Sequence, residues 1–242
     1  MSAPVRRFIS AVREGRLIPA MQWRLTSLLY VGHTDFLTRA RGVIHVGAND
    51  GGERYSYAEL GLKVIWIEPI PEVFKQLVEN IRSFPDQKAI NALITNEDGA
   101  LCTLHISNNG GNSSSILDPY LHKDLHPEVS FTRDISVRSS RLPTALADIN
   151  LSEYDAMVLD TQGTELLILQ SATAILGGFK YIQVEAANFE AYRNCATVDT
   201  INSFLRQHGF RLMYKRLYEK RKAGGEYFDL LFQRIRLTRP IV

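Results

Sequence analysis

The stretch Val43-Ile44-His45-Val46-Gly47-Ala48-Asn49-Asp50-Gly51-Gly52 constrains this chain more than any other. A β-branched run stops abruptly in small residues and turn formers. That is the pattern of a buried strand entering a tight glycine turn that opens a helix. Gly47 and Gly51 leave room for a ligand against the backbone, and a helix start supplies free N–H groups. The next strand-like run, Lys63-Val64-Ile65-Trp66-Ile67-Glu68, ends in a carboxylate. Strand, glycine turn, helix, strand and acid, in that order, hold a nucleoside at the carboxyl edge of a parallel sheet, the acid accepting hydrogen bonds from the ribose hydroxyls.

The 242 residues suit one α/β domain with a short appendage. No apolar run approaches the roughly 20 residues of a membrane span, and Arg6, Arg7, Arg13 and Arg16 interrupt the N-terminus where a secretory signal would be apolar. Cys102 and Cys195 are too few for a disulfide framework and lack metal-ligand spacing, so a cytoplasmic location is expected. The net charge of +2 hides an asymmetry: residues 1–41 carry +5 and residues 206–242 carry +7, which leaves −10 for the middle. Basic ends can flank an anionic substrate. Arginines solvated on surface helices are the plainer reading, because charge runs alone say little.

Taken in order, residues 1–40 read as a helical cap or lid, broken near Gly15 and Pro19, and residues 41–236 as the main domain. A helix over 55–60 closes at Gly61. Pro71 suits the first turn of a helix reaching about Ser83. Residues 88–93 form a third strand with Asn91 in it or at its end, and 100–106 a further strand beyond the turn at 96–99. The turn-forming run 107–115, with Ser113 and Ser114, is either a surface loop or a ligand-binding one. His122 and His126 are four apart and would share a helix face. Lys123 follows the first histidine where a zinc-protease pattern needs Glu, so no metal site is expected there, although either histidine can serve as a base.

A second informative stretch runs from Tyr154 to Glu165. A buried strand ends in Asp160-Thr161-Gln162-Gly163-Thr164-Glu165 and a helical run follows. An acid at that edge faces the ligand crevice; Glu165 can equally serve as a first-turn partner of its helix dipole. A fifth strand over 179–184 ends at Glu185. A helix over 198–208 stops at Gly209, and two strands, 210–217 and 227–233, form a closing hairpin around a basic loop.

These elements, in this order, resemble a class I S-adenosylmethionine-dependent methyltransferase. More narrowly, His45-Val46-Gly47-Ala48-Asn49-Asp50-Gly51 is similar to the D-V-G-A-N-x-G opening of FkbM-type methyltransferases, and Asp160-Thr161-Gln162-Gly163-Thr164-Glu165 to their D-x-x-G-x-E signature. The segment 112–115 sits where that family often has an Asn/Ser loop, and 225–232 resembles its closing strand. The resemblance covers roughly residues 40–234. His45 replaces the usual acid of the first strand, and Gln162 stands where many relatives have Glu, which removes charge from any metal site that used it. The implied fold is α/β: a three-layer Rossmann-like arrangement around a seven-stranded, mostly parallel sheet with one antiparallel strand.

The resemblance implies transfer of a methyl group from S-adenosylmethionine to a hydroxyl of a sugar, glycan or polyketide-like acceptor. His45, Gly47, Ala48, Asn49 and Gly51 are then expected around the methionine and ribose side, and Glu68 on the ribose hydroxyls. Asn91 or Ala92 is expected near the adenine, with Ser114 and Asp160 also at the cofactor. A hydroxyl nucleophile needs a base; Asp160 is first choice, then Glu185, His122 and His126. A nicotinamide-dependent oxidoreductase competes, but G-x-G-x-x-G spacing is missing and Asp50 would repel a pyrophosphate. A non-catalytic nucleoside-binding module is a third reading. RNA methylation is a fourth; the chain lacks an aromatic-rich RNA-binding module, so nucleic acid is not an expected partner.

Overall fold

The computed structural model describes residues 36–235, and the chain divides after Arg39. The expected cap or lid lies, through residue 35, outside the described residues. From residue 40 onward ten strands and five α-helices follow: β1 (Gly42–Val46), α1 (Arg54–Glu59), β2 (Lys63–Ile67), α2 (Pro71–Ile81), β3 (Gln87–Ile90), β4 (Leu93–Ile94), β5 (Leu101–Ser107), β6 (Phe131–Ser140), α3 (Leu142–Ala145), β7 (Ala156–Leu159), α4 (Glu165–Ser171), β8 (Tyr181–Ala187), α5 (Val198–Gln207), β9 (Phe210–Lys220) and β10 (Glu226–Arg234).

Seven strands form one sheet in the order β3-β2-β1-β7-β8-β10-β9. Pairing is parallel from β3 through β8, and β10 is antiparallel to both its neighbours. This is the expected sheet. Burial explains its centre: every residue of β1 and β7 is buried, as strands covered on both faces require. Ile44, Val46, Ile65, Ile67, Met157 and Leu159 share a core with Leu142 of α3, Ile168 of α4 and Ile201 of α5. The alternate residues turn to the other face, where His45, Tyr57 of α1 and Trp66 stack together. Right-handed crossovers account for the split: β1 to β3 step one way across the sheet and β7 to β8 the other, so their helices cover opposite faces.

The order reverses between β1 and β7, which opens a crevice at the carboxyl edge. Val46, Ile67 and Leu159 are in register, Ile90 pairs with Ile67, and Val184 with Leu159. The residues one step further therefore form a row across that edge: Asn91, Glu68, Gly47, Asp160 and Glu185, with Asp229 opposite Glu185 on β10.

Two expectations need correction. The third strand does not run through 88–93. It breaks at Asn91 and Ala92, because the Asn91 amide folds back to donate to the carbonyls of Glu68 and Pro69. Leu93 and Ile94 then join β6 and β5 in a separate three-stranded sheet. β6, to which they pair, is ten residues long. His122 and His126 lie on and just after a 3-10 turn, Leu121–Asp124, rather than on one α-helix.

Gly47 and Gly61 both have positive φ, +85° and +65°. A methyl at Gly47 would fall 1.9 Å from the Asp160 carbonyl oxygen, whereas nothing lies within 4 Å of one at Gly61. Gly61→Ala should therefore cost only backbone strain, about 1–2 kcal/mol, and Gly47→Ala distinctly more. Urea denaturation compares the two; equal losses would refute the close approach of the β1 turn to Asp160.

Candidate active site

The β1 turn is built on the end of β2. Gly47 and Ala48 both donate their N–H to the Ile67 carbonyl at 3.0 and 3.1 Å. Asn49, at φ 44°, then donates its N–H to Glu68 Oε2 at 2.9 Å, and Ile70 donates to Glu68 Oε1 at 2.8 Å. Both Glu68 oxygens are thus held by backbone, and the side chain is buried. Burial pushes its pKa up to about 7 against the pull of those two bonds.

A cleft of about 700 Å³, its open mouth included, lies over the row. Of the expected residues, Gly47, Asn49, Glu68, Ala92, Ser114 and Asp160 line it. Ala48 and Gly51 sit behind it, buried in the turn, and Asn91 is engaged with the Glu68 and Pro69 carbonyls just past β2. His45 is not at the cleft: strand alternation turns its ring to the opposite face, 3.1 Å from the Tyr57 hydroxyl and stacked on Trp66, where burial lowers its pKa. Ile70, Ile116, Thr161 and Gln162 also line the cleft. Ile70 and Ile116 carry no chemical signature a sequence would reveal.

The run 107–115 is a hydrogen-bonded structure rather than a loose loop. Ser114 Oγ accepts from the Ser107 N–H at 3.0 Å, and Ser113 Oγ from the Asn109 amide at 3.0 Å. Asn49 donates to the Gly110 carbonyl at 3.3 Å, and Ser115 Oγ to the Gln162 carbonyl at 2.6 Å. The run thereby spans the cleft from the β1 turn to the β7 turn.

Asp160 borders the open cleft, and its carboxylate accepts no hydrogen bond from the described residues. The residue is exposed. Desolvation of the carboxyl first, then the charges of Glu53 and Asp229, raise its pKa to about 7. Glu185 is raised well above the carboxylate range by burial and by Asp160. It does not line the cleft but a tight neighbouring cavity that shares Thr161 and Gln162 with it. His122 is remote from the cleft: it is buried against Tyr192 and Tyr227, with Nδ1 3.2 Å from the Tyr227 hydroxyl. Burial and His126 lower its pKa to about 4, so it is neutral at pH 7. His126 pairs with Glu219 at 3.0 Å. Much of the basic C-terminal excess is likewise engaged: Arg216 with Asp229, Lys220 with Glu226 and Arg221 with Asp124.

Glu165 opens α4 but does more than complement its dipole. Its Oε1 accepts from Thr161 Oγ1 at 2.9 Å and from the Gly163 N–H at 3.1 Å, tying down the turn beside Asp160. Burial raises its pKa from 4.5 to about 8. Between those values the folded state binds a proton that the unfolded chain has released, so stability falls as pH rises through the window. Glu165→Gln can keep both bonds through its amide oxygen and has no proton to lose. Thermal melts of both proteins across that window should show the variant gaining on the wild type as pH rises. Parallel curves would contradict a protonated Glu165.

The family model described as "Methyltransferase FkbM domain" matches residues 45–212. No curated protein matches the chain. Among solved structures, the magnesium protoporphyrin IX methyltransferase of Synechocystis PCC 6803 with bound SAM is similar at 10% identity and a TM-score of 0.47, over 97% of this chain and 86% of that one. The 1,6-didemethyltoxoflavin-N1-methyltransferase of Burkholderia thailandensis is similar at 12% identity and a TM-score of 0.46, over 97% and 91%. Among the described residues no helix is long and apolar enough to cross a membrane, and no group of three or more His, Cys, Asp or Glu could hold a metal ion.

Proposed function

Because the chain belongs to the FkbM methyltransferase domain family, we propose that it transfers the methyl group of S-adenosylmethionine to a hydroxyl of a sugar, glycan or polyketide-like acceptor. Family membership favours this over the nicotinamide reading of the β1 turn. The reading includes a cytoplasmic setting, which the two free cysteines support.

The residues fit this cofactor. Each Glu68 oxygen accepts one backbone N–H and keeps a second lone pair for a ribose hydroxyl. Gly47 presents no side chain between Glu68 and Asp160. Ile70, Ala92 and Ile116 offer apolar surface to a purine. The two carboxylates favour a cationic sulfonium in a cleft of reduced dielectric. When bound, S-adenosylmethionine supplies a methyl group already activated on its sulfonium.

The observation that carries the reading is Asp160. It is a cleft-lining carboxylate with no hydrogen-bond donor among the described residues, and its pKa is raised to about 7. A general base works best when its pKa lies near the operating pH. Asp160 is thus suited to accept the proton of an acceptor hydroxyl, while the walls hold that oxygen in line, a positioning effect worth several kcal/mol. Glu185 is a step further along the same edge, where burial and the Asp160 charge raise its own pKa.

Asp160→Asn should cut kcat by about 10²–10⁴-fold while S-adenosylhomocysteine binding, read by calorimetry, changes little. The wild-type kcat should rise with pH as Asp160 loses its proton near pH 7. Undiminished turnover in Asp160→Asn would remove Asp160 as the base. Glu68→Ala should weaken S-adenosylhomocysteine binding by about 1.5–3 kcal/mol for each charge-assisted bond lost; an unchanged affinity would take Glu68 out of the site. Cofactor binding with no turnover on any hydroxyl acceptor would favour the non-catalytic alternative.

A further inference from the structure

β9 is the last strand of the sheet, so its outer edge has no neighbour among the described strands. Its pairing with β10 passes over Met213 and Tyr218, which are extra residues on β9. Bulges of this kind twist an edge away from ladder pairing with another chain. Ten large apolar or aromatic side chains are exposed among the described residues, and five of them lie here: Met213, Tyr214, Leu217 and Tyr218 of β9, and Ile235 just after β10. Apolar side chains exposed singly need no explanation. Half of the total on one edge marks an interaction surface.

At the head of β9 lies an open groove of about 850 Å³, its open side included. It is lined by Asn202 and Arg206 of α5, Phe210, Arg211 and Leu212 of β9, and Ile235. A second hollow shares Arg206 and adds Ser203 and Gln207. No acid is among these lining residues. The neighbouring cations are engaged: Lys215 over the Phe228 ring, Arg216 with Asp229, Lys220 with Glu226, Arg221 with Asp124 and Arg234 on the Leu176 carbonyl. Apart from Lys222 at the hairpin tip, Arg206 and Arg211 are the two cations between 206 and 234 whose side chains have no partner among the described residues, and both line the groove. Phe210 pairs with Arg234, and Gln233 with Tyr181 at the start of β8. The groove is therefore at the amino edge of the sheet, opposite the cleft.

We propose that this edge is a peripheral docking surface for an anionic phospholipid membrane. Arg206 and Arg211 take lipid phosphate groups, while Met213, Leu217 and Ile235 enter the boundary of the acyl chains. Cations beside exposed aliphatic side chains are what an anionic bilayer surface attracts. Charge disfavours a second copy of the chain: β9 carries Arg211, Lys215, Arg216 and Lys220 against Glu219 alone, so two such edges would repel. RNA fits less well, because Met213, Leu217 and Ile235 have no flat face on which a base can stack. The inference is independent of the methyltransferase reading, and membrane contact at this edge leaves the cleft open.

Co-sedimentation of the full chain with vesicles tests it. Vesicles of phosphatidylcholine and phosphatidylglycerol, seven parts to three, should carry the protein down, and vesicles of phosphatidylcholine alone should not. Added salt should weaken the binding. Arg206→Ala combined with Arg211→Ala should lower the partition coefficient about 25-fold, since each cation near an anionic surface contributes about fivefold. Met213→Ser combined with Leu217→Ser should lower it several-fold with the charge unchanged. Both double variants should keep the wild-type melting temperature to within a few degrees and bind S-adenosylhomocysteine as the wild type does. No binding to the mixed vesicles, or equal binding to both kinds, would overturn the proposal. So would undiminished binding in the arginine variant, which would assign the contact to cations elsewhere in the chain. Displacement of the protein from the mixed vesicles by polyuridylic acid, with that displacement lost in the arginine variant, would give the surface to RNA. Self-association abolished by the Met213 and Leu217 changes, without vesicle binding, would give it to a second copy.

Discussion

The buried carboxylate of Glu68 is the contact on which the site depends. It ends β2, receives Asn49 from the β1 turn on one oxygen, and receives Ile70 from the start of α2 on the other. Three segments that approach the carboxyl edge separately are joined at one side chain. The arrangement is not the cheapest way to close a turn, since burying a carboxylate costs free energy that two backbone bonds only partly offset, as the rise toward 7 records. A group kept at that cost in a cleft points to a ligand that uses its remaining lone pairs.

The same logic extends along the row. Asp160, Glu185 and Asp229 follow one another across β7, β8 and β10, and like charges on neighbouring strands destabilise a sheet. Arg216 pairs with Asp229 at the far end, yet burial and Asp160 still raise Glu185. Burial and the charges of Glu53 and Asp229 raise the Asp160 carboxylate toward neutrality. His122, third among the candidate bases, is held behind Tyr192, and burial lowers its pKa to about 4, which makes it a weak base.

Much of this was legible in the chain because it rests on local pattern. The β-branched runs ending at Val46, Ile67 and Leu159 are strands with nearly the expected bounds, and register carries Gly47, Glu68, Asp160 and Glu185 to one edge. The misses have long-range causes. His45 lies in the signature run, yet period-two alternation sends it away from the ligand side. The break at Asn91 depends on carbonyls more than twenty residues earlier. Tyr192 drew no notice, because its hydroxyl bonds Gln162, thirty positions back, and no local periodicity encodes that.

The most direct test of the central claim is hydrogen–deuterium exchange with and without S-adenosylhomocysteine. The account predicts slowed exchange in the β1 turn over 47–51, at Ile70, whose N–H is fixed on Glu68, and in the β7 turn over 161–164. The β9–β10 hairpin, away from the cleft, should be unchanged. Protection confined to other segments, or none at saturating ligand, would contradict the assignment of this cleft.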